Sequence, residues 1–212
     1  MADGSSLKPI GRREHNKQEK RRRIILAARA LFHEQGFEAT TIAQIAKRAR
    51  IAEGTLFLYV SRKEDLLILA FTDEMREVAS DAFEAIDPTA HFIDQMIVFF
   101  GYILAYHDAD VVLAKAFLRE VGFLRDPQRD YGFSEIPLMI NLAIIADRAK
   151  ARGDIANEFS SDDIAALAFS AYWHCLRDWA NDAVDIEMFH ERLRRLLTMH
   201  VRGLAACRHE LG

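Results

Sequence analysis

The sequence predicts an all-α fold on three observations. Apolar residues recur every three or four residues in nearly every segment after residue 16, as they do along one face of a helix. No run alternates apolar and polar residues between turn signals, as a half-buried strand does. Half of the 212 residues are hydrophobic and only four are proline, so the chain can form long helices and bury one or two cores.

The first predicted helix runs from about Lys17 to Gln35. Its apolar stripe falls at positions i, i+4, i+7 and i+8, which are Ile24, Ala28, Leu31 and Phe32. Gly36 follows at the position where a glycine commonly ends a helix. We expect residues 1–16, which precede this pattern, to form a disordered basic arm.

Two short helices joined by a tight turn follow. Thr41 and Gln44 stand three residues apart as a capping-box pair, which predicts the start of a second helix. The apolar positions of that helix have helical spacing and are Ile42, Ile45, Ala46 and Ala49. After a turn at residues 50–51, a third helix is expected over about residues 52–59. Two short helices with a tight turn are typical of a helix-turn-helix.

The remaining two thirds of the chain are predicted to contain longer helices. Ser61 is expected to cap a fourth helix, which runs to about Ile86 and holds acidic residues in its first turn. Further helices are expected at about 89–106, 109–123, 135–152, 161–181 and 185–209. Their breaks are expected at Asp108, residues 125–132, Gly153 and residues 181–182.

Charge is distributed unevenly along the chain. Residues 1–65 hold 14 Lys and Arg against 8 Asp and Glu, whereas residues 66–212 hold 14 against 24. The net charge of −4 therefore divides into +6 and −10. A basic module joined to an acidic one is expected where only the first meets a polyanion such as DNA. Ordinary surface charge is the alternative explanation.

The N-terminal segment resembles the DNA-binding domain of the TetR family. The residues that carry the resemblance are Leu31, Phe32, Gly36, Phe37, Thr40, Thr41, Ile45 and Ala46, then Gly54-Thr55-Leu56-Phe57-Leu58-Tyr59-Val60 and Lys63-Glu64-Asp65-Leu66. This similarity spans about residues 20–67. Beyond it, only the helical layout and the length are similar to the family.

The resemblance implies a three-helix DNA-binding domain at residues 17–65 and a larger helical ligand-binding and dimerisation domain at residues 66–212. It also implies a ligand-responsive transcriptional regulator, most simply a repressor. Such a protein would bind a palindromic operator in double-stranded DNA as a homodimer and leave it when a small-molecule effector binds. A constitutive nucleoid or scaffold protein without a ligand is an alternative.

The resemblance places the candidate DNA contacts on the second and third helices and at the start of the fourth. Gly54 would let the backbone approach DNA closely, whereas Thr55 and Tyr59 would offer hydroxyl groups. A run of arginines on the first helix would follow the DNA backbone, unless it only solubilises the chain. The candidate residues are Thr41, Gln44, Arg50, Glu53, Gly54, Thr55, Phe57, Tyr59, Lys63, Arg21, Arg22 and Arg23.

Four positions depart from the usual pattern of the family. Arg50 stands where a turn glycine is common, and Ala52 where a capping serine is common. Phe57 replaces a common phosphate-binding tyrosine and cannot donate a hydroxyl hydrogen bond. Val60 replaces a common core phenylalanine.

Aromatic side chains are frequent in the acidic part of the chain. Most aromatic residues at helical spacing are core residues, but all-round apolar helices also make suitable pocket walls. The candidate pocket residues are Phe99, Tyr102, Tyr106, Phe117, Met139, Tyr172, Trp173 and His174. This composition favours an apolar or aromatic ligand.

Each of the last two helices carries an apolar seam. The seam residues are Ile164, Ala168, Ala171, Cys175, Trp179, Phe189, Leu193, Leu196 and His200. We expect a dimer interface here, because two reading heads about 34–36 Å apart can read a palindrome that one cannot. The alternative is that a seam serves the core of its own chain.

Other classes of protein receive little support from the sequence. The histidines and carboxylates form no HExxH, ExxH or GxSxG pattern, so neither catalysis, a metal nor a cofactor is expected. A helical enzyme or metal-binding protein remains the alternative. Cys175 and Cys207 suggest no disulfide framework, which fits a reducing cytoplasm. The most apolar stretch, Met96 to Ala105, is about ten residues long, whereas a membrane span needs about 20.

Overall fold

The computed structural model of this chain describes residues 12–121 and 136–206. Within these ranges all regular secondary structure is helical, which confirms the predicted fold class. The helices are α1 (Arg12–Gln35), α2 (Ile42–Arg48), α3 (Glu53–Leu56), α4 (Lys63–Glu84), α5 (Phe92–Ala109), α6 (Val111–Val121), α7 (Leu138–Arg152), α8 (Ser161–Ala180) and α9 (Ile186–Ala206). The chain divides into two compact units, Met1–Ala70 and Phe71–Gly212.

The first unit packs α1, α2 and α3 around a small apolar core. The predicted stripe on α1 is buried, and Phe32 of this stripe packs against Phe37 with ring centroids 5.4 Å apart. Ile45 of α2 and Leu56 of α3 are both fully buried in the same unit. Because α2 and α3 each bury only one large side chain, they depend on α1 for a stable core.

Turn geometry in the first unit follows the predicted signals. Gly36 ends α1 with a φ of 83°, and its amide donates to the Phe32 carbonyl at 2.9 Å. Thr41 caps α2: its hydroxyl accepts from the Gln44 amide, and the Gln44 side chain accepts from the Thr41 amide. Arg50 takes a φ of 55° in the turn before α3. This left-handed conformation favours glycine, which is the residue that the family commonly has there.

The second unit is built around α8, which packs against α7 and α9, while α5 packs against α6, α7, α8 and α9. Tyr172 of α8 stacks on Phe100 of α5, with ring centroids 4.6 Å apart. The same Tyr172 ring meets Phe189 of α9 edge-on at 5.8 Å. One aromatic side chain therefore ties three helices together.

Polar groups also hold the second unit together. The Asn141 side-chain amide of α7 donates to the Ala79 carbonyl of α4 at 3.0 Å. Lys150 donates to the Phe159 carbonyl at 2.7 Å, in the loop before α8. Gly153 ends α7 with a φ of 80°, as the sequence predicts.

The start of α1 differs from the prediction. The helix begins at Arg12 rather than Lys17, so residues 12–16 belong to a helix and not to a disordered arm. The segment contains no proline or glycine after residue 11, and Lys, Arg, Glu and Gln are good helix formers that extend a helix once it is anchored. Residues 1–11 of the predicted arm lie outside the described residues.

Two helix boundaries in the middle of the chain also differ from the prediction. Helix α3 stops at Leu56, and the amide of Tyr59 donates to the Leu56 carbonyl at 2.9 Å in a tighter turn. The break between α5 and α6 lies at Asp110 rather than Asp108. The Asp110 carboxylate accepts from the Leu113 amide at 3.0 Å, so it caps α6.

Replacing Ala52 by serine should stabilise the first unit. Ala52 has the extended backbone of an N-cap residue but no side-chain oxygen to accept from the first amides of α3. A serine there should raise the free energy of unfolding by about 1 kcal/mol, or Tm by about 2–4 °C. Thermal unfolding followed by circular dichroism would measure this. The matched control is Ala43→Ser, inside α2, which should lower Tm slightly, and an equal effect of both substitutions would contradict the capping argument.

Candidate functional site

Helix α3 and the turn after it present an exposed surface. Leu56 is buried and anchors the helix, whereas Glu53 and Gly54 point outward. Phe57 is 51% exposed and Leu58 is 83% exposed. Two neighbouring apolar side chains at such exposure are unusual, and apolar groups in a major groove contact thymine methyl groups. Leu58 was not among the predicted contacts, although its position beside Phe57, directly after α3, could have indicated it.

Gly54 lies at an open position of this surface. A Cβ atom built on it would meet nothing within 4 Å. The missing side chain is therefore required neither by packing nor by an unusual φ. Close approach of a second molecule is a physical reason for a glycine at such a position. Thr55 and Tyr59, beside it in the chain, are half-buried.

Thr41 and Gln44 are exposed, but their polar groups are already engaged within the chain. The Gln44 Oε1 atom accepts from the Thr41 amide at 2.8 Å and from the Thr41 hydroxyl at 3.1 Å. The Gln35 side-chain amide donates to the same oxygen at 3.1 Å. The main effect of these two predicted contacts in the free protein is to fix the start of α2.

Lys63 also has partners inside the first unit. Its ammonium group donates to the Phe37 carbonyl at 2.8 Å and to the Glu38 carbonyl at 3.3 Å. It also lies 4.2 Å from the centroid of the Phe37 ring, which adds a cation–π attraction. Lys63 therefore joins the start of α4 to the loop after α1. In the predicted phosphate contact, its ammonium group would have to bind the phosphate in addition to, or in place of, these two carbonyl groups.

The remaining predicted cations are in different environments. Arg50 is exposed in the turn before α3, and Arg21 and Arg22 are exposed on α1. Arg23 is half-buried, and its Nε atom is buried without a hydrogen-bond partner. Arg48, near Arg50, pairs with Glu34 of α1. Arg50, Arg21 and Arg22 are consequently the predicted cations that face solvent.

A cavity of about 420 Å³ lies within the second unit. Its walls come from α4, α5, α6, α7 and α8 and are almost entirely apolar. The lining residues are Phe71, Thr72, Met75, Ile103, His107, Phe117, Val121, Ile136, Leu138, Met139, Phe169, Tyr172, Trp173 and Leu176. The volume is in the range of sites for small organic ligands, about 300–1,000 Å³.

Four of the eight predicted pocket residues line this cavity, namely Phe117, Met139, Tyr172 and Trp173. The other four do not. Phe99 is fully buried in the core, and Tyr106 donates its hydroxyl to the Glu74 carboxylate. Tyr102 and His174 are exposed because they lie on the outer faces of α5 and α8. Helical spacing alone cannot separate a cavity wall from the packed side of the same helix.

His107 lines the cavity but is not among the predicted pocket residues. It lies on the same face of α5 as Phe99 and Ile103, and this spacing of four residues could have indicated its inward position. Its ring stacks beside Phe71 and Phe117, with centroids 6.0 and 6.4 Å away. Burial lowers the pKa of His107 from 6.5 to about 4, so the ring is neutral at pH 7.

The apolar seams of α8 and α9, which were predicted to form a dimer interface, are mostly buried inside the chain. Seven of the nine seam residues are buried within the single chain: Ile164, Ala168, Ala171, Cys175, Trp179, Phe189 and Leu193. Leu196 and His200 are half-buried. The two helices pack against each other and α8 also packs against α7, so the seams form the core of the chain itself. A partner would meet other faces of these helices.

Neither a metal site nor a single membrane-spanning helix is found in the residues that the structure describes. No group of three or more His, Cys, Asp and Glu side chains within ranges 12–121 and 136–206 could hold a metal ion. No one helix among them is long and apolar enough to cross a membrane. Helices α5 and α6 together have the length and apolar composition of a membrane span, but the chain bends by 108° at the break between them.

Comparison with known proteins identifies the first unit most clearly. Residues 24–70 match the model of the family described as bacterial regulatory proteins, tetR family. A transcriptional regulator, HbdR of Aromatoleum sp. (strain CIB), is 30% identical over 96 residues, which are 45% of this chain and 42% of that protein. The chain spans less than half the length of the curated relatives that it matches first, from 30% to 42%.

Solved structures resemble the chain over most of its length. The repressor FadR of Thermus thermophilus, in complex with lauroyl-CoA, has a TM-score of 0.67 at 22% identity, covering 84% of this chain and 92% of that one. The regulator FadR of Bacillus subtilis, in complex with stearoyl-CoA, has a TM-score of 0.62 at 23% identity, covering 86% and 98%. At these identities the likeness establishes the fold.

The neutral, buried His107 predicts a pH dependence of stability. Between pH 6.5 and about 4 the unfolded chain binds a proton that folded His107 does not, so the free energy of unfolding decreases as the pH falls. The contribution is fully present above pH 6.5, and about 3 kcal/mol of it is lost on reaching pH 4.

Urea denaturation at pH 7, 5.5 and 4 would measure this dependence. In His107→Leu the free energy of unfolding should no longer decrease with falling pH by this amount. The control His174→Leu, at an exposed position, should keep the pH dependence of the wild type. The same slope in the wild type and in His107→Leu would contradict the prediction.

Proposed function

We propose that this chain is a member of the tetR family of bacterial regulatory proteins, and that it is a ligand-responsive repressor that binds a palindromic operator as a dimer. The observation that carries the proposal is the exposed surface of α3, where Gly54 leaves open space beside two exposed apolar side chains. A recognition helix in a major groove needs such a protruding surface. We also propose that the protein works in the cytoplasm and carries out no catalysis.

The DNA contacts that we propose fall into two groups. Gly54, Thr55 and Leu58 would meet base edges, because they lie on or directly after α3. Arg50, Arg21 and Arg22 would meet phosphates, because they are the predicted cations whose side chains face solvent. The net charge of +6 on residues 1–65 would add attraction that weakens with rising salt concentration.

The effector site that we propose is the cavity of the second unit. Its apolar and aromatic walls suit an apolar molecule, and two solved structures of similar fold hold acyl-CoA ligands. The effector can release DNA only if it binds more tightly to a conformation of the dimer that does not fit the operator than to the conformation that does. Helix α4 contributes Phe71, Thr72 and Met75 to the cavity wall, so an occupant would contact this helix directly.

The dimer interface that we propose uses the outward faces of α8 and α9. Leu167 of α8 is 38% exposed and Met199 of α9 is 62% exposed. Both are apolar side chains left open to solvent on helices whose other faces are buried. Pairing these faces across a two-fold axis would give a four-helix bundle.

Gly54→Ala tests the DNA-binding surface. The substitution should leave Tm unchanged or slightly higher, because alanine favours helices over glycine by about 1 kcal/mol and the new Cβ meets nothing. Operator affinity should fall by at least about tenfold, since the methyl group would separate the helix from the groove. The operator is first selected from random DNA with the purified protein, and affinity is then measured by fluorescence anisotropy.

Gly203→Ala is the matched control for this experiment. Gly203 also lies in a helix with nothing within 4 Å of a Cβ atom, but on α9. It should bind the selected operator as the wild type does. Failure to select any sequence, or equal operator affinity of Gly54→Ala and the wild type, would argue against the proposal.

Leu167→Glu and Met199→Glu test the dimer. Each introduces a charge that meets its own symmetry mate or an apolar partner, so sedimentation equilibrium at micromolar concentration should show a shift from dimer to monomer. Val112→Glu is the control, because Val112 is 75% exposed on α6, a helix that is not part of the proposed interface. A wild-type protein that is monomeric, or dimers of all three variants, would contradict the proposed interface.

A further inference from the structure

Besides Thr72 and the indole of Trp173, two polar side chains stand in the wall of the cavity. His107 comes from α5 and Tyr172 from α8. The Nδ1 atom of His107 and the hydroxyl oxygen of Tyr172 are both buried without a hydrogen-bond partner. A buried polar group without a partner is costly, and the great majority of such groups in folded proteins have one. Because both of these groups lie in the wall of one cavity, a molecule bound in the cavity could supply the missing hydrogen bonds.

The cavity wall also excludes charge. None of the described residues that line it is Asp, Glu, Lys or Arg. An ionised carboxylate or ammonium group inside would be buried without an opposite charge, which is strongly unfavourable. The described part of the wall therefore selects against charged head groups, while it offers two hydrogen-bonding groups without partners.

We propose that the cavity binds an uncharged, largely apolar molecule through one hydroxyl or carbonyl oxygen, which is held by Tyr172 and His107. This inference rests on the proposed function, because it names the chemical class of the proposed effector. The aromatic rings of Phe71, Phe117 and Trp173 would pack on the body of the molecule. The molecule, or the part of it that enters, is limited by the volume of about 420 Å³.

The protonation states of the two groups fit this class of ligand. Burial raises the pKa of Tyr172 well above 10, so its hydroxyl keeps its proton and can donate it to an oxygen. Burial lowers the pKa of His107, so its ring is neutral and offers one donor and one acceptor. A phenol, an alcohol, a ketone or an ester can satisfy these groups without bringing charge.

Three probes with one skeleton test the proposal: 4-pentylphenol, pentylbenzene and 4-pentylbenzoate at pH 7. Trp173 lines the cavity, so binding is followed by the change in tryptophan fluorescence. The phenol should bind about tenfold more tightly than pentylbenzene, the factor expected for one or two hydrogen bonds. The benzoate should bind at least about tenfold more weakly than the phenol, because its charge has no counterion in the wall.

Tyr172→Phe and His107→Leu assign the preference to the two side chains. Each variant should bind the phenol more weakly and pentylbenzene with the affinity of the wild type. The ratio of the two affinities should therefore fall about three- to tenfold. Tyr172→Phe should also raise the Tm of the free protein by about 2–4 °C, because it removes a buried hydroxyl that has no partner. The control Tyr102→Phe, at an exposed position, should change neither quantity.

If Tyr172 had only a structural role, Tyr172→Phe would lower the Tm of the protein and weaken its binding of all three probes equally. That result would overturn the inference, as would equal affinity of the wild type for the phenol and pentylbenzene, tighter binding of the benzoate, or no binding of any probe.

Release of the selected operator by 4-pentylphenol tests the proposed function separately. Binding with the expected preference but without release would leave this inference standing and contradict the effector role of the cavity. Release without any preference between the phenol and pentylbenzene would support the effector role and overturn this inference.

Discussion

The carboxylate of Asp65 is buried at the start of α4, and the position of α3 depends on it. It accepts from the backbone amides of Ser61 and Arg62 at 2.9 and 3.1 Å, and its side chain is only 1% exposed. A charge at this depth is stable because it meets the amides and the positive dipole end of a helix. Lys63 binds the loop after α1 from the same turn, so α4 starts at one defined place.

With α4 fixed, the short chain between α2 and α4 has little freedom. Helix α3 has only four residues, too few to be stable alone, and Leu56 is its one fully buried anchor. Arg50 holds a left-handed backbone conformation that costs about 1–2 kcal/mol in an arginine, and the surrounding packing must offset this. The exposed residues of this segment thus belong to a structure that is organised before any DNA is present.

Sequence reasoning could predict the helices and the first unit well because local signals fix them. The capping box at Thr41 and the glycine at Gly36 act within a few residues of where they stand. Only half of the predicted pocket residues line the cavity. Phe117 and Phe99 both lie at helical spacing in their own helices, but Phe117 faces the cavity whereas Phe99 is packed in the core. The inward positions of Lys63 and of the α8 seam depend on contacts between residues far apart in the chain, which periodicity does not contain.

Cys175 gives the second unit a chemical property that follows from its burial. Its side chain is fully enclosed between the helices that pack on α8, and burial raises the pKa of the thiol to about 11. A protonated thiol without access to solvent reacts slowly with alkylating agents and oxidants. Modification at this position therefore proceeds only while the helices separate, so the rate of labelling at Cys175 measures how often the core of the second unit opens.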